Sequence, residues 1–372
     1  MRKYAEKAAK AAKTAVTLIL FLFCAADTAA VSQAVYSSML RCINTVIPSL
    51  FAMMAVSSVI VRSGIAELMP KWFGRVSRFI FGMDETEFPI FSFGMFAGYP
   101  VGVKMLCELY TAGRISKRRA ELLSGLCFGA GPAFIFGCIA PRFFGSERIG
   151  LLILISVVSA NIVTALGASF FLRHAVEKQP YPRRSVTISA EMLTDCVLRS
   201  GRAMADICIM VVGFSVFTAF LVRTGTMAAA GELLGKLLRL DRVSGEALTA
   251  ALIDVTNIVS NAGGGHLLLP YVSGAVSFGG LCVFFQLRVL TAGKFSLKPF
   301  IIMRAAAAVI SFAVCRALLP YFIFGEAIEA ASVEVSGHGT DSAVPSVMLI
   351  IMVVMLMLEC RNKRGESSAY ST

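Results

Sequence analysis

Phe91-Ser-Phe-Gly-Met-Phe-Ala-Gly-Tyr-Pro-Val-Gly-Val-Lys-Met-Leu-Cys-Glu-Leu-Tyr110 reads as an apolar helix that stops, breaks and restarts. Gly98, Pro100 and Gly102 fall within one turn of each other. Glycine favours the coil, and proline removes a donor and clashes with the turn before it. The residue preceding Pro100 is pushed out of the helical region as well. Such a break frees backbone N–H and C=O groups that lipid cannot satisfy. It therefore belongs inside protein or against a wet cavity. Lys104 follows on the first turn of the restarted half-helix, whose N-terminus carries partial positive charge. The stretch predicts one wall of a small-solute site suited to an anion.

The setting is a membrane. Of 372 residues, 57% are hydrophobic and only 16% are charged, against about a quarter charged in soluble domains. Mean hydropathy is +0.76. Long apolar runs make an all-α polytopic membrane protein with the lipid bilayer as its surroundings. The net charge of +12 sits in short loops between apolar segments, where it sets orientation, and is no nucleic-acid signature. The ten cysteines lie mostly in apolar segments without CxxC spacing and read as small buried hydrophobes. His174, His266 and His338 are far apart, so no metal site and no cofactor is expected. No Walker loop, GxSxG or HExxH is present, which argues against an enzyme or a primary pump.

Outward from the break, the chain divides into five parts. Residues 1–34 hold a basic segment and a first apolar run from Thr14 to about Ala30, readable also as a signal peptide. Residues 35–173 form a first unit. Its first span runs from about Cys42 to Val61. A basic amphipathic stretch at 66–82, with Trp72 as an interfacial anchor, lies in the membrane surface. The arms 87–97 and 102–112 are each shorter than the about 20 residues a crossing needs, so they predict a re-entrant hairpin. A segment at 119–140 is broken at Gly129-Ala-Gly-Pro132, with Pro132 suited to open the restarted helix. A span at 148–172 closes the unit. A polar loop occupies 174–197.

Residues 198–325 repeat the order. A span at 201–222 closes on Arg223-Thr-Gly225, like Arg62-Ser-Gly64 before it. An amphipathic stretch at 228–240 follows, then a hairpin at 245–272 with its tip at 256–265. A broken segment begins at Ser273-Gly-Ala-Val-Ser-Phe-Gly-Gly280, which echoes 124–131, and a span at 299–324 ends the copy. Residues 326–372 supply an acidic loop (Glu326, Glu329, Glu334, Asp341), a last span and a basic tail. Three crossings per copy invert the second copy relative to the first, the plan of secondary transporters. With both termini cytoplasmic and eight crossings, nearly all basic loops fall inside.

Several side chains stand out against the apolar background. Lys104 could meet a carboxylate of the solute, or pair with Glu108 one turn on. Tyr99 at the tip could stack on a ring, or pack. Gly98, Pro100, Gly102, Gly131 and Pro132 shape the breaks and bare N–H groups. Asp254, Thr256, Asn257, Ser260 and Asn261 are the densest polar run in an apolar setting, able to hold solute or coupling ion, or to close a hydrogen-bonded tip. Asn161 and Gln286 lie within spans, and either lines the path or bonds between helices.

Gly98-Tyr-Pro-Val-Gly-Val-Lys104, Glu108-Leu-Tyr110, Ile115-Ser116 and Gly131-Pro132 resemble the YlbJ-type sporulation integral membrane proteins. Asp254-Val-Thr-Asn257 and Phe278-Gly-Gly-Leu-Cys-Val-Phe-Phe-Gln286 resemble that family's second half. The resemblance covers about residues 35 to 325. It implies membership of the wider nucleoside-recognition (Gate) group and a task in sporulation, with passage of the anion dipicolinate across the outer forespore membrane as the expected role. A nucleoside-type carrier and a non-transporting membrane scaffold are the alternatives. The sequence is compatible with a homo-oligomer.

Overall fold

A computed structural model describes Thr14 and residues 17–65, 71–144, 146–175, 186–260 and 266–330. The basic residues of 1–13, the loop at 176–185, Asn261 and the glycines at 263–265, and the last span lie outside the described residues. The chain divides into a unit spanning Met1–Phe322 and a C-terminal unit, Ile323–Thr372. Of the latter only the helix up to Ala330 is described. Among the described residues every regular element is helical.

The first apolar run differs from expectation. Helix α1 (Thr17–Ala26) ends at Asp27, which caps α2 (Thr28–Arg41) by accepting from Ala30 N at 3.1 Å. Asp27 also pairs with Arg223 at 2.9 Å. α2 then runs through a π-helical turn, Cys42–Val46, into α3 (Ile47–Ser63). The span expected to start at Cys42 is thus the end of one 36-residue helix, Thr28–Ser63. Pro48 sits at the start of α3, where its missing N–H costs least. Gly64 closes α3 at φ 84.

α4 (Lys71–Phe81) is the surface helix read from the sequence. Trp72, Val76, Phe79 and Ile80 recur along one face and are exposed, while Gly74 and Ser77 are buried on another. That pattern suits a helix lying in the bilayer interface. α5 (Glu87–Phe96) and α6 (Val101–Thr111) are the short arms on either side of the break. They meet at their glycines. A Cβ on Gly102 would stand 2.1 Å from the Cys127 carbonyl oxygen and 2.9 Å from Gly94 Cα. Gly98 takes φ 85, and the Tyr99–Pro100 peptide is cis.

α7 (Lys117–Ser124) is capped by Ser116 and gives way to an irregular stretch up to Gly131. Pro132 opens α8 (Pro132–Phe134), as expected, and the chain continues as a π-helix, Ile135–Phe144. α9 (Glu147–His174) is a full-length span packed on that π-helix and on α4. Arg119, on α7, is buried. It holds Glu87 through Nε and Nη2 and caps the end of α9 by donating to Leu172 O at 2.9 Å and Ala175 O at 3.0 Å. The base of the hairpin is therefore clamped to the end of a span.

In the second half, α10 (Ala190–Arg223) starts well before the expected Gly201 and packs on α2 and α3. α11 (Thr226–Leu238) follows Gly225, at φ 71, and pairs with α12 (Arg242–Ile253). α12 is capped by Asp241, which accepts from Ser244 N at 3.2 Å; the Ser244 hydroxyl, and then this backbone bond, hold the Asp241 carboxyl below its ordinary pKa. Only one arm of the hairpin expected at 245–272 is α-helical throughout. Beyond Asp254 the chain forms a 3-10 turn at Val255–Ser260, another at His266–Leu268, and then α13 (Leu269–Phe278). α14 (Gly280–Thr291) follows a kink at Gly279 (φ 91) and Gly280 (φ 83). α15 (Lys298–Ala330) extends past the expected end at 324, so Glu326 and Glu329 belong to helix rather than loop.

The parallel between halves is clearest in α6 and α14. Each begins beside a left-handed glycine and ends in Thr-Ala-Gly, at Gly113 (φ 69) and Gly293 (φ 68). α6 packs on α3, α14 packs on α10, and the two pack on each other. A Cβ on Gly279 would stand 2.5 Å from Phe128 Cζ, so the Gly279-Gly280 kink lies against the 125–131 break. Among the described residues, five helices are long and apolar enough to cross a membrane.

Gly102→Ala should lower the unfolding temperature of the purified protein, since rigid backbone stands against the added methyl; overpacking of this kind costs about 1–3 kcal/mol. Gly167→Ala, on α9 with nothing within 4 Å, should leave it unchanged or raise it. Thermal unfolding in detergent compares the two.

Candidate functional site

The irregular segments of both halves converge on one small cavity of about 40 Å³. Gly98, Tyr99 and Gly131 face it from the first half, and Asp254, Thr256 and Gln286 from the second. Thr45, Ser49 and Leu50, around the π-turn into α3, and Ile207 and Val211 of α10 complete the wall. Six residues singled out in the sequence are thus brought together. The space holds only a few water molecules.

The polar groups here are few and specific. Asp254 is buried, and its Oδ1 accepts from Thr256 N at 3.0 Å and Thr256 Oγ1 at 2.9 Å. Tyr99 is 8% exposed, and its hydroxyl has no hydrogen-bond partner among the described residues. A buried unpaired hydroxyl at a cavity wall is what a bound polar group would satisfy. Gln286 reaches only Cys282 Sγ, at 3.4 Å. Asn257 does not line the cavity; its Oδ1 accepts from Arg41 Nη1. Pro100, Gly102 and Pro132 shape the breaks without facing the space. Ser260 closes the 3-10 turn, and Asn261 lies outside the described residues.

Lys104 and Glu108 take the local pairing considered for them, with Nζ and Oε1 2.9 Å apart. Lys104 Nζ also donates to Ser58 Oγ and reaches Met54 O at 3.4 Å, so α6 is bonded to α3. Both residues face a second, larger cavity of about 550 Å³ at the other end of α6.

Two arginines went unremarked in the sequence. Arg41 lies at the end of α2, where its Nη1 donates to Asn257 Oδ1. Arg304 is a cation inside the 299–324 span, and the rule that made Lys104 a candidate would have found it. Arg304 is 0% exposed. Its Nη1 donates to Asn161 Oδ1 at 2.9 Å, to Phe128 O at 3.2 Å and to Ser277 O at 3.4 Å. Asn161 Nδ2 donates to the same Phe128 O at 2.9 Å, the interhelical role allowed for it. The guanidinium lies 5.2 Å from the centre of the Phe128 ring, on which Tyr99 stacks at 4.8 Å. Arg304 Nε and Nη2 have no partner. One side chain therefore meets a carbonyl of the 125–131 break, a carbonyl beside the 279–280 kink, and the ring that backs the cavity.

With this geometry in hand, comparison with known proteins is informative. The sporulation integral membrane protein YlbJ of Bacillus subtilis (strain 168) is 27% identical over 183 residues. The chain is similar to a YlbJ-type protein. The match covers 48% of this chain and 45% of the relative, so the chain spans about half the length of the curated relative it matches. No family profile matches, and no solved structure matches. The YlbJ-type resemblance read from the motifs is borne out, and with the apolar helices it makes this a multi-pass membrane protein related to a sporulation protein.

Asn161→Ala should destabilise the protein by about 1.5–3 kcal/mol, the range for a hydrogen bond to a buried charge. In an Arg304→Leu background the same change should cost less, with a coupling of about 0.5–3 kcal/mol. A thermal or denaturant double-mutant cycle measures it.

Proposed function

We propose that this protein is a carrier or channel for a small anionic solute, with the cavity between the breaks as its closed central site. The observation behind this is the convergence of irregular backbone from both halves on one buried space holding an unpaired Tyr99 hydroxyl and the Asp254–Thr256 pair. Broken helices meeting at a buried site are the architecture of secondary transporters. In this reading α5 and α6 form a re-entrant hairpin, the two halves are inverted copies, and eight crossings leave both termini in the cytoplasm. The relative's name places it in sporulation, and the solute that fits the resemblance is an aromatic dicarboxylate such as dipicolinate, at the outer forespore membrane. A space of about 40 Å³ does not admit such a ring. Transport then requires the breaks to part, drawing the Tyr99–Phe128 stack away from Asp254. Asp254 is the candidate carrier of a coupling proton or sodium ion.

A nucleoside-type solute is the second reading. It is favoured by the lining itself: among the described residues the cavity wall offers hydroxyls, an amide and one carboxylate, and no cation. Arg41 and Arg304 stand behind it rather than in it.

Proteoliposomes loaded with dipicolinate or uridine separate the readings. The leading one expects protein-dependent dipicolinate flux that uridine does not compete away. The reverse preference would favour the second, and no flux of either from folded protein would reject both. Ser49→Phe, which fills the wall of the cavity, should cut flux at least about tenfold while leaving the unfolding temperature within a few degrees.

A further inference from the structure

The larger cavity has a chemistry of its own. It opens where α6 and α14 end, against the first half of α10. Arg62, Arg114, Arg199, Arg202 and Lys294 line it together with the Lys104–Glu108 pair, and Asp206 is the other acid in the wall. Six cations thus face two carboxylates. Asp195, outside the lining, is bonded by both Arg62 and Arg199, so one acid serves two guanidiniums. Lys294 Nζ donates to Thr111 Oγ1 at 2.8 Å, which fixes the ammonium without neutralising it. Arg202 has no acidic partner within ion-pair distance among the described residues.

This excess is not an ordinary solvated surface. Apolar side chains of three helices, Val61 of α3, Leu109 of α6 and Val289 and Leu290 of α14, share its wall, and low-dielectric walls focus the field of the charges they surround. The volume, about 550 Å³, lies within the range of small-molecule sites. Arginine forks match carboxylate and phosphate oxygens two at a time. An apolar layer that includes Met54, Val101 and Met204 packs between this vestibule and the small cavity along α6 and α10.

We propose that this vestibule is a binding site for a doubly charged anion of phosphate or carboxylate type, held chiefly by Arg199, Arg202 and Lys294. Binding here does not depend on transport, so this site stands or falls separately from the central cavity. Either a free anion or an anionic lipid headgroup carries the required chemistry.

The test uses the whole protein and inorganic pyrophosphate as probe, with binding read by calorimetry. Three preparations are compared: detergent, phosphatidylcholine nanodiscs and phosphatidylglycerol nanodiscs. Binding in all three is expected if free anions occupy the site. Binding lost only in phosphatidylglycerol assigns the site to a headgroup. In either case Arg199→Ala with Arg202→Ala, both exposed positions, should weaken pyrophosphate at least tenfold, and Glu108→Gln, which releases Lys104, should tighten it. Binding should also weaken as salt shortens the Debye length from about 30 Å towards about 8 Å. No binding in any preparation, or binding indifferent to the double arginine variant, would overturn the proposal.

Discussion

A helix interrupted inside a membrane must find partners for the backbone groups it releases, because hydrocarbon supplies none and each unmet group costs several kcal/mol. In this protein that constraint falls on one guanidinium. Arg304 Nη1 reaches the Phe128 carbonyl at one interruption and the Ser277 carbonyl beside another, while Asn161 secures the Phe128 oxygen from a third helix. α9, α15 and the two irregular segments are thereby tied at a point directly behind the central cavity. Removing the charge would relieve its own burial but leave those carbonyls short of donors, so the cluster acts as a unit.

Glycine makes the same tie sterically feasible. The Cys127 carbonyl is wedged between Gly94 and Gly102, where any side chain on Gly102 would overlap it. The first hairpin is thus keyed into the 125–131 break, and the clamp of Arg119 on Glu87 and on the end of α9 fixes its base. Beyond these two fixed points, at the tip, Tyr99 lines the cavity and stacks on Phe128. The base of the hairpin is held by polar contacts and its arms by close steric fit, whereas the Tyr99 side chain at the tip is held by ring contacts with Phe128 and Phe134. A ring stack contributes only about 0.5–1.5 kcal/mol beyond its buried area, so it is the contact most easily exchanged for a solute.

Much of this could be read from residue types. Gly98, Pro100 and Gly102 break a helix for covalent and steric reasons that no tertiary contact reverses, and Pro132 opens one for the same kind of reason. The basic amphipathic period of 71–81 stated its own place at the interface. Other features depend on long-range contact and left no local mark. The stretch after Asp27 is too polar to read as membrane by itself, yet it continues unbroken into α3. Lys104 and Glu108, one turn apart, pair with each other, and only the packing of α6 on α3 and α14 shows that they face the vestibule rather than the central cavity. In the second half, the Thr-Ala-Gly turns at 111–113 and 291–293 carry a parallel that polar-residue density at 256–265 obscured.

The most direct test of a central wet cavity between the breaks is a single-cysteine accessibility measurement at Thr256. In a background with the ten native cysteines replaced, Thr256→Cys in oriented vesicles is treated with a small membrane-impermeant thiol reagent from each side in turn. A solute site that alternates in exposure predicts labelling from both sides, slowed by saturating solute. A cysteine that never reacts from either side, while exposed Ala112→Cys reacts readily, would contradict it.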